Sequence, residues 1–322
     1  MSSPHTPARP AVPGPPDSSG SSGSLNPAAQ WSPPLPEAPG FEHFVVETPG
    51  LRTHVAAIGE GDPVVLLHGF PKHWWQWRTI APSIAAAGYR AYCPDLRGAG
   101  WTVADDPGIE RETRLHDLLA LFDALGIERS HLVTHDMGAI TGIHLSYEHP
   151  ERLHSLVQLS VWPAFFTFSP RLIPNFTHLP RFIWHRPGAS LSYIFSARYA
   201  AHPMSEATIA ANLAPFARPD IDAAVRPLLR GMVVPEALRI IGGAYRRKRL
   251  TVPTLVVYGR KDYPTTEELM ERICRNPERH ADRIEFAYVD DAAHFVTDDA
   301  PDAVADLAID WFNRSAESAS AS

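Results

Sequence analysis

Residues 131–140 read HLVTHDMGAI. A short apolar run passes through Thr134, His135, Asp136, Met137 and Gly138 into a segment with the character of a helix start. A small-x-nucleophile-x-Gly pattern between a buried strand and a helix marks a sharp turn that lifts one side chain clear of the backbone, most often a serine. Here the lifted side chain is a carboxylate, Asp136. Thr134 stands where glycine is usual, two positions before it, which predicts a more crowded turn.

Working outward, short apolar runs alternate with helix-like segments, the sequence form of an α/β sheet. Eight strands are expected, at 44–47, 52–57, 64–67, 91–93, 131–134, 155–159, 254–258 and 284–289. Helices are expected at 77–87, 112–125, 137–148, 266–274 and 301–313. The rhythm stops at 164–249, where prolines and aromatics are dense and helical stretches are short, and it resumes at TVPTLVVYG. That interruption reads as a helical lid inserted into a core formed by 41–163 and 250–314. The first 40 residues hold 11 of the 32 prolines and the stretch SSGSSGS, so 1–40 is expected to be a disordered tail, as is 315–322.

At 322 residues with 44% hydrophobic, the chain is long enough for one full core with an inserted subdomain. The 36 acidic and 29 basic residues give a formal charge of -7, which argues against nucleic acid or an anionic membrane surface as partner. The one basic run, RRKR at 246–249, reads as a solvated face. Neither a secretory h-region nor an apolar run near the ~20 residues of a membrane span is seen. Cys93 and Cys274 are too few for a disulfide framework or a four-cysteine zinc site, which suits a cytoplasmic protein. His144, Glu148 and His149 form H-x-x-x-E-H rather than a zinc-protease pattern, so no metal site is expected.

VVLLHGFP at 64–71 is a buried strand running into an HG turn. Such turns aim a backbone N–H toward a nucleophile, and the N–H after the nucleophile completes an oxyanion hole. The amides of Phe70 and Met137 are that candidate pair. Asp262 closes GRKD after the next-to-last strand, and His294 lies in DDAAHF after the last one. The order Asp136, Asp262, His294 is nucleophile, acid, base. SVWPAFF after the sixth strand offers no carboxylate in competition with Asp262, and Asp290 and Asp291 read as loop residues.

HGFP with the downstream Trp77 and Arg78, PDLRGAG at 94–100, HDMG, GRKD and the late His294 together resemble the α/β-hydrolases of the epoxide hydrolase and haloalkane dehalogenase branch. The resemblance runs from about Phe41 to Asn313, and some of it extends to epoxide hydrolases that tailor aromatic polyketides in actinobacteria. It implies the α/β-hydrolase fold with a mostly parallel sheet, an epoxide and water as reactants, no cofactor, and a homodimer as one assembly such enzymes adopt. Family members protonate the departing oxygen with lid tyrosines. Tyr245 matches the position of one, whereas Trp184 stands where the second is often found, with Tyr193 a little downstream. An indole N–H can donate a hydrogen bond but is no useful proton source, so Tyr245 is the expected acid. Trp162 and Tyr193 are expected to contact the substrate, and Tyr199 to pack the lid.

The choice of carboxylate has a chemical reason. A serine that attacked a saturated carbon would form an ether that water and histidine cannot cleave, whereas a carboxylate forms an ester that they can. Aspartate at the turn therefore points to substitution at saturated carbon. Dehalogenation shares that intermediate, but the tryptophan of haloalkane dehalogenases and the arginines of haloacetate dehalogenases are replaced here by Met137 and Ile140. A non-catalytic binding protein on the same scaffold is the alternative of another class, and a complete triad argues against it.

Overall fold

The computed structural model describes residues 33–320. Nine strands form one sheet: β1 (Glu42–Thr48), β2 (Leu51–Ile58), β3 (Asp62–Leu67), β4 (Tyr89–Pro94), β5 (Val103–Ala104), β6 (Ser130–His135), β7 (Leu153–Leu159), β8 (Thr254–Gly259) and β9 (Ile284–Val289). Their order is β1-β2-β4-β3-β6-β7-β8-β9, with β5 pairing β2 outside that path. The eight expected strands are thus joined by a ninth, a two-residue pairing of Leu51 and Arg52 with Ala104 and Val103 that is too short to leave a pattern. From β4 onward the path is parallel, and β1, β2 and β4 pair antiparallel.

Parallel central strands are buried on both faces, which is why they read as continuous apolar runs. Alternate residues part to opposite sides: Val65, Leu67, Leu132, Leu156 and Val256 enter one core, and Val64, Leu66, Val133, Val157 and Val257 the other. The first core is completed by α2 (Thr113–Ala124), α3 (Gly138–Glu148) and α8 (Glu267–Ile273), through residues such as Leu118, Phe122, Ile143 and Met270. The second is completed by α1 (Ile80–Ala86) and the last helix, through Ile84, Ala308, Trp311 and Phe312.

Between β7 and β8 the chain forms α4 (Leu179–Ile183), α5 (Glu206–Leu213), α6 (Pro219–Pro227) and α7 (Val234–Ile241), linked by short 3-10 turns and one π-helical stretch, Leu228–Val233. The apolar faces of α4, α5, α6 and the π-helical stretch form a third core with Phe70, Met137 and Phe295, which follow β3, β6 and β9, whereas α7 joins the first core through Ile240. The insertion therefore packs on the carboxyl-end rim of the sheet. Because the strand order reverses around β3, the ends of β3 and β6 lie side by side there, where open α/β sheets bind ligands.

Both expected tails need correction where they are described. Residues 33–40 are irregular but attached: Trp101 Nε1–H donates to the Pro33 carbonyl at 2.7 Å and Trp75 Nε1–H to that of Glu37 at 3.0 Å. Residues 1–32 and 321–322 lie outside the described residues. After α9 (Val296–Asp299), the final helix α10 (Pro301–Ser320) runs well past 314. Trp311 and Phe312 anchor it, and the SAESAS that follows has neither proline nor glycine to stop it. No helix among the described residues is long and apolar enough to cross a membrane.

Candidate active site

The turn after β6 places Asp136 at φ 50°, a left-handed conformation that costs a non-glycine residue on the order of 1–3 kcal/mol and persists only where its surroundings impose it. The surroundings here are two glycines. A Cβ on Gly138 would lie 2.6 Å from the His68 carbonyl oxygen, and one on Gly69 would lie 2.8 Å from the Asp136 Cβ, so the HG turn and the Asp136 turn can meet only as glycines permit. The crowding expected from Thr134 is absorbed elsewhere. Its methyl fills the space opposite Gly142 of α3, where a Cβ would approach it to 2.7 Å.

Asp136 Oδ1 accepts the Phe70 N–H at 2.8 Å. Its Oδ2 lies 3.5 Å from His294 Nε2, and His294 Nδ1 lies 3.4 Å from Asp262 Oδ2. Asp262 sits in the turn after β8, which approaches the 294 loop so closely that a Cβ on Gly259 would lie 2.2 Å from the Ala292 carbonyl. The His294 carbonyl is held twice, by His135 Nε2–H and by Ser160 Oγ–H, each at 2.9 Å. Burial keeps His135 neutral, down at about 3. Burial works against charge on Asp136 as well, but the hydrogen bond and charge of His294 and the Phe70 amide outweigh it and hold the carboxyl well below its usual range. His294 is the mirror case: burial disfavours its cation, while Asp262 and Asp136 raise it far above an ordinary histidine.

These groups open on a cavity of about 180 Å³. Most of its wall is apolar, from Ile140, Phe166, Phe176, Phe182 and Ile240 among others, and no arginine or lysine lines it. An apolar cavity of ~150 Å³ is enough to hold benzene, so there is room for an aromatic ring.

The sequence profile described as alpha/beta hydrolase fold matches residues 62–301. This chain belongs to the α/β-hydrolase fold family. It is similar to epoxide hydrolase 3 of Siraitia grosvenorii, 44% identical over 125 residues that make up 38% of this chain and 39% of that protein. It is also similar to a fluoroacetate dehalogenase of a Burkholderia species, 32% identical over 151 residues, 45% of this chain and 48% of the other. Each match spans less than half the length of the curated relative. The crystal structure of an epoxide hydrolase from Vigna radiata is similar over 85% of this chain and 98% of its own, with 25% identity and a TM-score of 0.69.

Within this α/β-hydrolase the expected site residues divide. Asp136, Asp262, His294, Phe70, Met137 and Trp162 all line the cavity, whereas Tyr245, Trp184 and Tyr193 do not. Tyr245 is 1% exposed and donates its hydroxyl to Glu236, with its ring 4.7 Å from that of Tyr147. Trp184 is 64% exposed: it ends the short helix α4 two residues after Phe182, and two residues turn a helix by more than half a circle. Tyr193 stacks on Phe182 at 5.9 Å and lies under the Arg181 guanidinium, outside the wall.

In their place the wall carries Tyr199 and His178, with Tyr199 Oη 3.2 Å from His178 Nδ1 and its ring centroid 6.1 Å from that of His294. Burial raises the phenol and lowers His178 to about 4, so both are uncharged at neutral pH. No motif marks either residue. Tyr199 read as lid packing, and His178 lies in FTHLP, a stretch without periodicity.

Proposed function

We propose that this α/β-hydrolase opens epoxides to vicinal diols through an ester on Asp136, with the insertion as its lid. The observation that carries this reading is a carboxylate on the turn with its two oxygens already assigned. Oδ1 is held by the Phe70 amide and becomes the ester carbonyl, while Oδ2 faces His294 and is the nucleophile. Oδ2 attacks an epoxide carbon, the C–O bond breaks, and Tyr199 gives its proton to the departing oxygen. The Tyr245 acid expected from sequence is not proposed again, because that hydroxyl is committed to Glu236.

Ester formation also changes the base. His294 holds its proton because two carboxylates face it, and alkylation neutralises one of them. The released proton restores the Tyr199 phenolate, and the neutral imidazole, oriented by Asp262, then takes a proton from water. The hydroxide adds to the ester carbonyl, and the Phe70 and Met137 amides hold the oxyanion. Collapse expels the diol alkoxide, which takes the remaining hydroxyl proton. Asp136 is left ionised and His294 protonated, as at the start.

The cavity supports a neutral substrate, apolar or aromatic beyond its epoxide. A haloacetate carboxylate would find no arginine or lysine on the wall, and the protonated His294 is already faced by the carboxylates of Asp136 and Asp262. The test is His294→Gln with styrene oxide: intact-protein mass should rise by one substrate mass, localised by peptide mapping to the segment holding Asp136. An unmodified protein that still turns the epoxide over would end the proposal.

A further inference from the structure

Tyr199 belongs to the insertion and His294 to the loop after β9, yet three hydrogen bonds from backbone amides tie the two stretches together. The Phe295 N–H donates to the Tyr199 carbonyl at 2.9 Å. The other two converge on one side chain, which also accepts an amide of its own loop. Asp299 Oδ2 accepts the Ala201 and Ala293 N–H groups, each at 2.9 Å, and Oδ1 accepts the His202 N–H at 3.0 Å. Ala201 and His202 follow Tyr199 by two and three residues, and Ala293 immediately precedes His294.

We infer that Asp299 is a positioning residue that yokes the ring-opening acid to the hydrolytic base, an inference that rests on the roles given above to Tyr199 and His294. A carboxylate accepting three amides is a strong fixed joint, because charge-assisted hydrogen bonds are about twice as strong as neutral ones. Its place matters more than its strength. The phenol must reach the epoxide oxygen during the first half of the reaction, and the imidazole must reach the water that adds to the Asp136 ester carbonyl during the second. Displacement of a reacting group by about 1 Å can cost ~100-fold in rate. With Tyr199 and His294 fixed to one carboxylate, the cavity keeps both distances at once although the two residues come from different parts of the fold.

The test follows both half-reactions of Asp299→Ala by rapid quench with styrene oxide, counting folded enzyme by active-site titration. Ester formation and ester hydrolysis should both slow, by roughly 10- to 100-fold each. A carboxylate that served stability alone would lower the melting temperature and leave both rates unchanged, and slowing of hydrolysis alone would make Asp299 a support of the His294 loop only. Either result overturns the yoke. Asp299→Asn keeps one accepting oxygen and should fall between wild type and alanine, which provides the reading if the alanine variant does not fold. In the Asp299→Ala background, Tyr199→Phe should slow ester formation much less than it does in wild type, since an unyoked phenol has little left to lose. The two readings separate: Tyr199→Phe without effect in wild type removes the acid, whereas a large effect there with an unaltered Asp299→Ala removes only the yoke.

Discussion

Two buried clusters in this molecule use the same kinds of side chain for opposite ends. One holds Asp136, His294 and Asp262, with Tyr199 nearby. The other holds Glu236 of α7, His144 of α3, Arg111 and Tyr245, with His144 Nε2 and Arg111 Nη1 each 3.1 Å from Glu236 Oε2 and Tyr245 donating to Oε1. The first keeps its side chains partly open, 22% for Asp136 and 21% for His294, and that surface faces a cavity. The second is closed at its centre, with Glu236 and His144 both at 0%, and only Arg111, at 22%, reaches outward. A carboxylate whose oxygens are already saturated by a phenol, an imidazole and a guanidinium can hold walls together but has nothing left for a substrate. It clamps α7 to α3, and both helices contribute to the cavity wall, through Ala237 and Ile240 on one side and Ile140 on the other. On the proposed reading, reactivity here follows uncommitted hydrogen-bonding capacity at a cavity, rather than residue type.

Removing one hydroxyl from each cluster should have opposite effects. Tyr199→Phe should slow ester formation by ~100-fold or more, the usual worth of a general acid, with little change in melting temperature. Tyr245→Phe should leave ester formation per folded molecule within about twofold and lower stability by ~1–3 kcal/mol, the cost of stranding a buried acceptor. Rapid-quench kinetics beside urea unfolding measures both, and the reverse pattern would exchange the roles of the two clusters.

The closed cluster also has a pH signature. Burial pushes Glu236 up, but the hydrogen bonds from His144 and Tyr245 prevail and hold it at about 2. A carboxyl lower in the folded than in the unfolded chain stabilises fully above its unfolded pKa, ~4.3, and that contribution is lost as pH falls through about 2. Glu236→Gln should therefore cost ~3–5 kcal/mol at pH 7, the penalty for breaking a buried ion pair. The gap to wild type should narrow between pH 5 and pH 2 in urea titrations, and a gap independent of pH would mean the carboxylate is not what holds the clamp. Smallest of all, Trp184→Ala should change stability by no more than ~0.5 kcal/mol and leave kcat/KM for styrene oxide unchanged, as suits an exposed ring.

These contrasts also explain what could be read in advance. The sheet was legible because strands buried on both faces are continuous apolar runs, and the meeting of Asp136, Asp262 and His294 because each sits just after a strand, where spacing along the chain translates directly into position on the rim. The insertion offered neither aid. Its helices are five to nine residues long, and the direction of each side chain depends on a boundary known only to within a residue or two. Phe182 faces the cavity and Trp184 faces solvent for that reason alone. Tyr245 stands at a family-like position, but a buried carboxylate nine residues earlier claims it, and no local pattern reports such a partner. Asp299, two of whose three amide donors come from a loop far away in the chain, has no sequence signature either.

In the proposed reaction oxygen reaches the product from Asp136 and not directly from water. A single turnover with excess enzyme and styrene oxide in heavy-oxygen water measures this by mass spectrometry of the diol. Ester formation on Asp136 leaves the diol unlabelled in that first turnover and labelled only in later ones, after the carboxylate itself has exchanged; heavy oxygen in the first-turnover diol would rule the ester out.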